Sequence, residues 1–317
     1  MFLLLLNYIL KLPHYTCHEN QLYFLGKRFC IISDEAASLY QRLLYQLNYV
    51  KDYPEGIVDE LIKTQAIMTC SLPEKHYSDA PLILVISPHL DDAIFSIGGL
   101  LTRLSSRYRI HILTFFSLDP YSIYKELKND FFRLQELRLA EENAATSLIH
   151  STTSQMEWND ALLRKYKDFS DPIHQNEPIK HYISCIIKEL PDNPFLILCP
   201  LGISHVDHRL TRILADKVNK INSVSKTPIM YYEDLPYACS EFTEADSFKS
   251  FNINLSNYEK SLKKKMVKSY VTQLSPGLTS KILNHRDGQE CLWYQDSFDN
   301  NKLIKDILGD SHWAYRK

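Results

Sequence analysis

Ser87-Pro88-His89-Leu90-Asp91-Asp92-Ala93 is the stretch on which both the fold and the chemistry turn. Before it, Leu82-Ile83-Leu84-Val85-Ile86 is an unbroken apolar run of strand length that Pro88 stops, and after it residues 93–104 have the pattern of a helix. His89, Asp91 and Asp92 therefore sit on a strand-to-helix turn. In open α/β sheets that turn lies at the carboxyl end of a strand, where ligands bind. A His and a carboxylate three residues apart can face one point, and a neutral imidazole with a carboxylate suits zinc or a similar divalent ion.

A second turn of the same kind follows later in the chain. Phe195-Leu196-Ile197-Leu198-Cys199 reads as another buried strand, and beyond Pro200-Leu201-Gly202-Ile203 comes Ser204-His205-Val206-Asp207-His208, opening a helix to about residue 218. A catalytic zinc usually has three protein ligands and one open position. His89, Asp92 and His208 would fill that role, leaving Asp91 and His205 for proton and charge chemistry. Each acidic residue also has an innocent use: Asp91 or Asp92 as a helix cap, and Ser204 with Asp207 as a capping box. Three His and three Asp in two short turns, both at strand ends, favour the metal.

These two turns resemble the signature of the PIG-L/LmbE-like metal-dependent N-deacetylases, a Pro-His-x-Asp-Asp turn after the first strand and a later His-x-Asp-His turn. The likeness extends to Pro200-Leu201-Gly202 through Arg209, to Tyr232-Glu233-Asp234-Leu235-Pro236-Tyr237-Ala238, and to Arg138 with Glu141-Glu142, and it covers roughly residues 79–317. Ala93 stands where many members have Glu, which leaves the substrate class open. The resemblance implies a Rossmann-like, mostly parallel sheet with helices on both faces. It also implies removal of an N-acyl group, commonly acetyl, from an amino sugar conjugate or biosynthetic intermediate by a metal-activated water. On that reading Asp91 is the general base, His205 stabilises the oxyanion and Asp207 holds an imidazole of the second turn in its working tautomer. Zinc is the expected ion, and the same ligands tolerate ferrous iron. A non-catalytic protein that keeps the metal for structure is the alternative from another class.

Further along, Asp119 is either a turn residue before Pro120 or a substrate contact. Residues 125–148 read as one long helix, on which Arg138 and Glu142 form a solvated pair or, as the resemblance implies, Arg138 helps frame the pocket with Glu141 or Glu142. Asp160, in a loop similar to one in the family, approaches substrate or caps a turn. Residues 172–190 supply a crossover helix, and Ile229-Met230-Tyr231-Tyr232 is a strand whose end brings Asp234 and Tyr237 to the ligand edge as substrate contacts, with packing the other reading. No GxGxxG accompanies the first turn, and Gly98-Gly99 falls within the helix, where close packing on the sheet is its expected use.

Residues 1–78 precede this domain. Segments 3–12 and 21–32 read as β-rich around a polar turn at 14–20, Asp34 as an N-cap opening a helix over 35–47, and 59–67 as a second helix. That pattern resembles a small winged-helix, PqqD-like module that would present a peptide; a lid or dimerisation domain is the plainer reading. The polar run 73–79 marks the boundary, giving domains 1–78 and 79–317.

Bulk properties exclude several classes. The net charge of -2 and 23% charged residues give no field for nucleic acid, and the lysine-rich helix at 256–272 reads as a solvated face. The aromatic tail through Trp293-Tyr294 and Trp313 reads as packed. Seven scattered Cys with no CxxC spacing indicate free thiols in a reducing compartment, hence the cytoplasm. The apolar start Met1-Phe2-Leu3-Leu4-Leu5-Leu6 lacks a basic n-region and a cleavage site, and no run reaches a membrane span.

Overall fold

The computed structural model describes residues 79–221, 227–240 and 248–295 without interruption, together with 5–11, 15–18, 21–24, 27–42, 47–49, 54–64, 67–73 and 313–315. The extreme N-terminal residues 1–4 and the linker residues 74–78 of the sequence reading lie outside these.

The first part of the chain runs β1 (Leu5–Lys11), β2 (Tyr15–His18), β3 (Gln21–Phe24), β4 (Lys27–Ile31), α1 (Asp34–Arg42), β5 (Leu47–Tyr49), α2 (Glu55–Lys63) and β6 (Ile67–Pro73). Two antiparallel sheets, β5-β1-β6 and β2-β3-β4, accompany the helix pair, whose core holds Leu22, Ala36, Leu39, Tyr40, Val58 and Leu61. Four details differ from the sequence reading. The polar stretch 14–20 contains β2, paired residue for residue with β3. The Ala36 N–H donates to Ser33 Oγ (3.1 Å), so Ser33 and not Asp34 caps α1. The same Ser33 hydroxyl donates to Glu60 (2.6 Å), tying the start of α1 to α2. Helix α1 stops at Arg42 and Leu47 enters a strand, while α2 lies four residues earlier than its pattern suggests because Ile67 is taken by pairing with Lys11 in β1.

The second part is a mixed α/β domain: β7 (Leu82–Ser87), α3 (Asp92–Leu104), β8 (Arg109–Thr114), α4 (Phe131–Ser147), β9 (Thr152–Gln155), α5 (Ile179–Glu189), β10 (Leu196–Pro200), α6 (Val206–Ile221), β11 (Ile229–Tyr232), β12 (Phe248–Ile253), α7 (Asn257–Lys268), α8 (Pro276–Asn284), β13 (Glu290–Gln295) and β14 (Trp313–Tyr315). The sheet order is β14-β12-β13-β11-β10-β7-β8-β9, parallel from β11 through β9 and antiparallel beyond. From β7 the chain steps outward to β8 and β9, then returns across β7 to β10 and continues the other way. Right-handed crossovers put α3 and α4 on one face and α5 and α6 on the other. Among the described residues no helix is long and apolar enough to cross a membrane.

This reversal positions the site. Ligands bind where strand order reverses, outside the carboxyl ends of the strands. The reversal falls between β7 and β10, paired in parallel with Leu196 opposite Ile83 and Leu198 opposite Val85. The turns that leave these two strands are 87–93 and 201–208, so neighbouring strands bring together residues more than a hundred positions apart.

Two helices depart from the sequence reading for local reasons. The stretch 125–148 is interrupted: Lys125–Leu127 is a 3₁₀ turn, and Asp130 restarts the helix by accepting the Arg133 N–H (3.1 Å). Helix α3 is kinked at Ile97 (φ -131°), and the freed N–H groups of Gly99 and Leu100 donate to the buried Glu290 carboxylate at 2.8 and 2.6 Å. Lys263 of α7 neutralises Glu290 at 2.7 Å. Gly98 packs against α7, and Gly99 packs against Leu255 and Glu290 at the start of sheet strand β13, where a Cβ would run into the Leu255 side chain. The tail strand β13 is buried at Cys291, Leu292 and Trp293.

Candidate metal centre and catalytic cavity

The first turn is fixed by its own short bonds. Ser87 Oγ donates to the His89 carbonyl (2.6 Å) and accepts from the Ala93 N–H (3.2 Å), while the His89 N–H donates to Asp92 Oδ2 (2.9 Å). Asp91 occupies the N-cap position of α3 but its side chain caps nothing. It faces a cavity of about 390 Å³ whose wall includes His89, Asp91, Asp92, Asp119, Asp160, His205 and Tyr237.

The second turn is held from β11. Asp234, at the end of that strand and fully buried, accepts the N–H groups of Gly202 (2.8 Å) and Ile203 (2.9 Å), and its other oxygen lies 2.7 Å from His208 Nδ1. Gly202 takes φ +84°, which a side chain would resist, and Ser204 follows at φ +57°. In that conformation Ser204 does not cap α6. The Asp207 N–H donates to His205 Nδ1 instead (3.1 Å), so an imidazole stands where the alternative reading put a capping box.

His89, Asp92 and His208 come together: Asp92 Oδ2 is 3.0 Å from His89 Nδ1 and 3.1 Å from His208 Nε2. The far nitrogen of each imidazole faces a carboxylate, His89 Nε2 to Asp207 Oδ2 at 3.1 Å and His208 Nδ1 to Asp234. A metal-bound imidazole needs such a partner to fix its tautomer. With Nδ1–H given to Asp234, His208 Nε2 is a buried lone pair with no hydrogen-bond partner, pointed at a carboxylate oxygen. Two acceptors so placed call for a positive charge between them, a proton or a metal ion. The ionisation behaviour agrees: against the downward push of burial, Asp92 and Asp234 raise the His208 pKa to about 9. Against the upward push of burial, His208 and His89 hold the Asp92 carboxyl far below its usual range. The three residues thus fit a divalent ion bound by two nitrogens and one oxygen.

A second group of metal-type side chains, His89, Asp160, His205 and Asp207, is equally close-packed. Its chemistry differs. His205 Nδ1 is occupied by the Asp207 N–H, so the neutral ring carries its proton on Nε2 and presents a donor, not a lone pair. Burial and the neighbouring His89 and His208 lower the His205 pKa to about 2, which keeps the ring neutral. Phe169 stacks on it at 5.8 Å.

Several residues stand elsewhere than the sequence reading put them. Asp207 orients His89 of the first turn, not an imidazole of its own; it also accepts the Ala161 N–H (2.9 Å) and pairs with Arg164 (2.6 Å). Asp234 is not on the cavity wall, because both its oxygens are spent behind His208. Arg138 is buried behind the cavity, bonded to Asp119 and 3.8 Å from Asp91, and makes no pair with Glu142. Glu141 accepts from the Thr272 N–H and hydroxyl (2.7 and 2.6 Å), and Glu142 from the Tyr270 hydroxyl (2.5 Å). Asp119 serves both its readings, accepting the Tyr121 N–H (2.7 Å) while lining the cavity. Asp160 likewise caps the Leu162 N–H (2.7 Å) and sits 3.4 Å from His89 Nε2. Tyr237 lies with its ring 5.0 Å from that of His208. Arg164 escaped notice altogether. A single Arg in a loop carries no periodic signal, and its guanidinium, 4.4 Å above the Phe116 ring, is placed chiefly by Phe116, Glu177 and Asp207.

Two expectations follow. Asp234→Asn, which keeps shape but removes the charge behind His208, should weaken divalent-ion affinity about 10–100-fold in a competition titration with a chromophoric chelator. Glu142 is buried, and chiefly that burial raises its pKa to about 8. It therefore stays protonated in the fold where the unfolded chain has lost the proton. Stability should fall as pH rises from about 4.5 to about 8, and Glu142→Gln should flatten that slope in thermal melts across the same range.

Residues 84–219, the segment carrying both turns, match the family described as PIG-L: GlcNAc-PI de-N-acetylase. That segment, less than half of the chain, is similar to a PIG-L domain. A curated relative, the 2'-N-acetylparomamine deacetylase of Streptomyces fradiae, is 26% identical over 162 residues, which are 49% of this chain and 57% of that protein. Among solved structures, the A40926 pseudoaglycone deacetylase aligns with a TM-score of 0.51 at 23% identity, over 68% of this chain and 97% of its own. A zinc-inhibited form of teicoplanin deacetylase aligns at 0.52 and 21%, over 67% and 97%. At such identities the likeness is one of fold: the mixed sheet flanked by helices is shared with these deacetylases. The family match ends at residue 219, so the segment 232–238 and the lysine-rich helix α7 lie beyond it.

Proposed function

We propose that this protein is a metal-dependent N-deacylase that removes an acyl group, in the first instance acetyl, from an amino sugar conjugate or related biosynthetic intermediate. The observation that carries the reading is the unpartnered His208 Nε2 facing Asp92 beside His89 Nδ1. A zinc or other divalent ion held by His89, Asp92 and His208 would supply a Lewis acid for the acyl carbonyl and an acidified water.

The remaining steps belong to the chain's own residues. Asp91 takes the proton of the attacking water and returns it to the departing amine. Burial, and then the neighbouring Asp92 charge, raise its pKa to about 7, where a carboxylate works as a base and, once protonated, as an acid. Arg138 limits that rise and holds Asp91 toward the cavity. The Nε2–H of His205 donates to the developing oxyanion, and Phe169 fixes the ring's plane. Asp207 and Asp234 keep His89 and His208 in the required tautomers, and Arg164 holds Asp207 in turn. The products are a free amine and a small carboxylate.

The cavity mouth favours a substrate with an apolar side. Tyr121, Leu162 and Phe169 line it and are 48%, 54% and 46% exposed, beside Leu278 and Pro236. An N-acetyl amino sugar attached to an aromatic or aliphatic group would meet acids and imidazoles at the reacting end and this rim at the other. A peptide held at an open edge of the β2-β3-β4 sheet by strand addition is a second source of substrate. Cys17, Cys30, Cys185, Cys199, Cys239 and Cys291 are free, in keeping with work in the cytoplasm. The test is acetate release by the metal-loaded protein from N-acetylglucosamine, from aryl and alkyl N-acetylglucosaminides, and from N-acetylated peptides. Faster release from the glycosides supports the reading; release from none, with one metal bound per chain, favours a non-catalytic metal protein.

A further inference from the structure

Beside the catalytic cavity, and sharing Leu274 with it, a second cavity of about 720 Å³ opens between α7 and α8. That is the size of a small-molecule site. Its floor is aliphatic, with Leu255, Val267, Val271, Leu274, Ile282 and Leu283. Along the α7 wall stand Lys260, Lys264 and Lys268, one per helical turn and therefore about 6 Å apart. All three are exposed, and none pairs with an acid among the described residues. The fourth lysine, Lys263, is buried and already neutralised by Glu290 at 2.7 Å.

The charge pattern is specific to this place. No Asp or Glu lines the groove among the described residues, whereas the catalytic cavity carries Asp91, Asp92, Asp119, Asp160 and Asp168. The whole chain has a net charge of -2, so the lysines do not reflect a generally basic surface. A row of solvated lysines on a polar helix face would need no ligand. Here the row borders a recessed aliphatic floor, and the two features together call for one molecule with an acidic end and a hydrocarbon body.

We propose that this groove binds a soluble, single-chain anionic amphiphile, its chain on the aliphatic floor and its acidic head among Lys260, Lys264 and Lys268. The occupant is a monomer and not a bilayer, because the apolar surface is a recess between two helices and does not protrude. The inference is independent of the reaction assigned to the neighbouring cavity, since binding is read without turnover.

The probe is dodecyl phosphate below its micelle concentration, titrated calorimetrically into the full-length protein. The expected result is saturable binding that weakens with added salt and falls about tenfold or more in the triple variant Lys260→Ala, Lys264→Ala, Lys268→Ala. Inorganic phosphate and dodecanol, each lacking half of the required chemistry, should bind about tenfold more weakly or less. The lysines are exposed, so the triple variant is expected to melt like the wild type, and Val271→Asp, which puts a like charge under the chain, should also lose binding. Absence of saturable binding, equal affinity in wild type and triple variant, or binding only to anionic vesicles would each overturn the proposal.

Discussion

Asp91→Asn is expected to lower kcat by about 10²–10⁴-fold while metal content stays at the wild-type level. Asp91 and Asp92 are adjacent in sequence but the turn sends them in different directions. Asp92 Oδ2 is shared among the His89 N–H, His89 Nδ1 and His208 Nε2, whereas Asp91 reaches the cavity with the Arg138 guanidinium 3.8 Å away. Asn keeps the size and the turn but neither accepts a proton from water nor delivers one to the amine. The variant should also lose the acid limb of the kcat/KM profile, which protonation of Asp91 sets; the Asp91 pKa, about 7 without the metal, is lowered by a bound cation. Loss of metal together with activity would mean that Asp91, not Asp92, is the ligand.

His208→Ala is expected to remove both metal and activity, leaving far less than one ion per chain after dialysis. Three protein ligands are the usual minimum for a catalytic divalent ion, and this substitution leaves two. It also leaves Asp234 with one oxygen still holding Gly202 and Ile203 and the other facing a void, so the variant should fold but melt lower. His205→Ala separates the roles. It removes a donor to the oxyanion but no ligand, so the ion should stay while kcat falls.

The architecture was legible because its signals are local. An apolar run stopped by Pro88, a helix pattern after it and the same arrangement near residue 200 suffice for a parallel sheet with two loaded strand ends, and pairing of β7 with β10 accounts for their meeting. The partners of the buried charges were not legible. Asp207 is one residue from His208 yet orients His89, 118 positions earlier, and Asp234, read as a substrate contact, spends both oxygens behind His208. A carboxylate's residue type and strand position say that it sits at the ligand edge. Which side of the imidazole it occupies depends on packing between elements distant in the chain. Arg138 and Glu142 illustrate the same limit: helical spacing allows a pair, but burial against Asp119 on one side and Tyr270 on the other gives each a stronger partner. Helix capping at Asp34 and Ser204 is decided by a smaller cause. Ser33 beside Asp34, and His205 beside Ser204, compete for the same backbone N–H groups, and tertiary contacts decide between them.

The central claim is that one cation joins the turn after β7 to the turn after β10. Anomalous diffraction from crystals of the metal-loaded protein, collected on both sides of the metal's absorption edge, addresses it directly. The account predicts a single strong peak within bonding distance of His89 Nδ1, Asp92 Oδ2 and His208 Nε2. A peak bonded to His205 and Asp160 instead, or imidazoles of His89 and His208 with no peak between them, would contradict it.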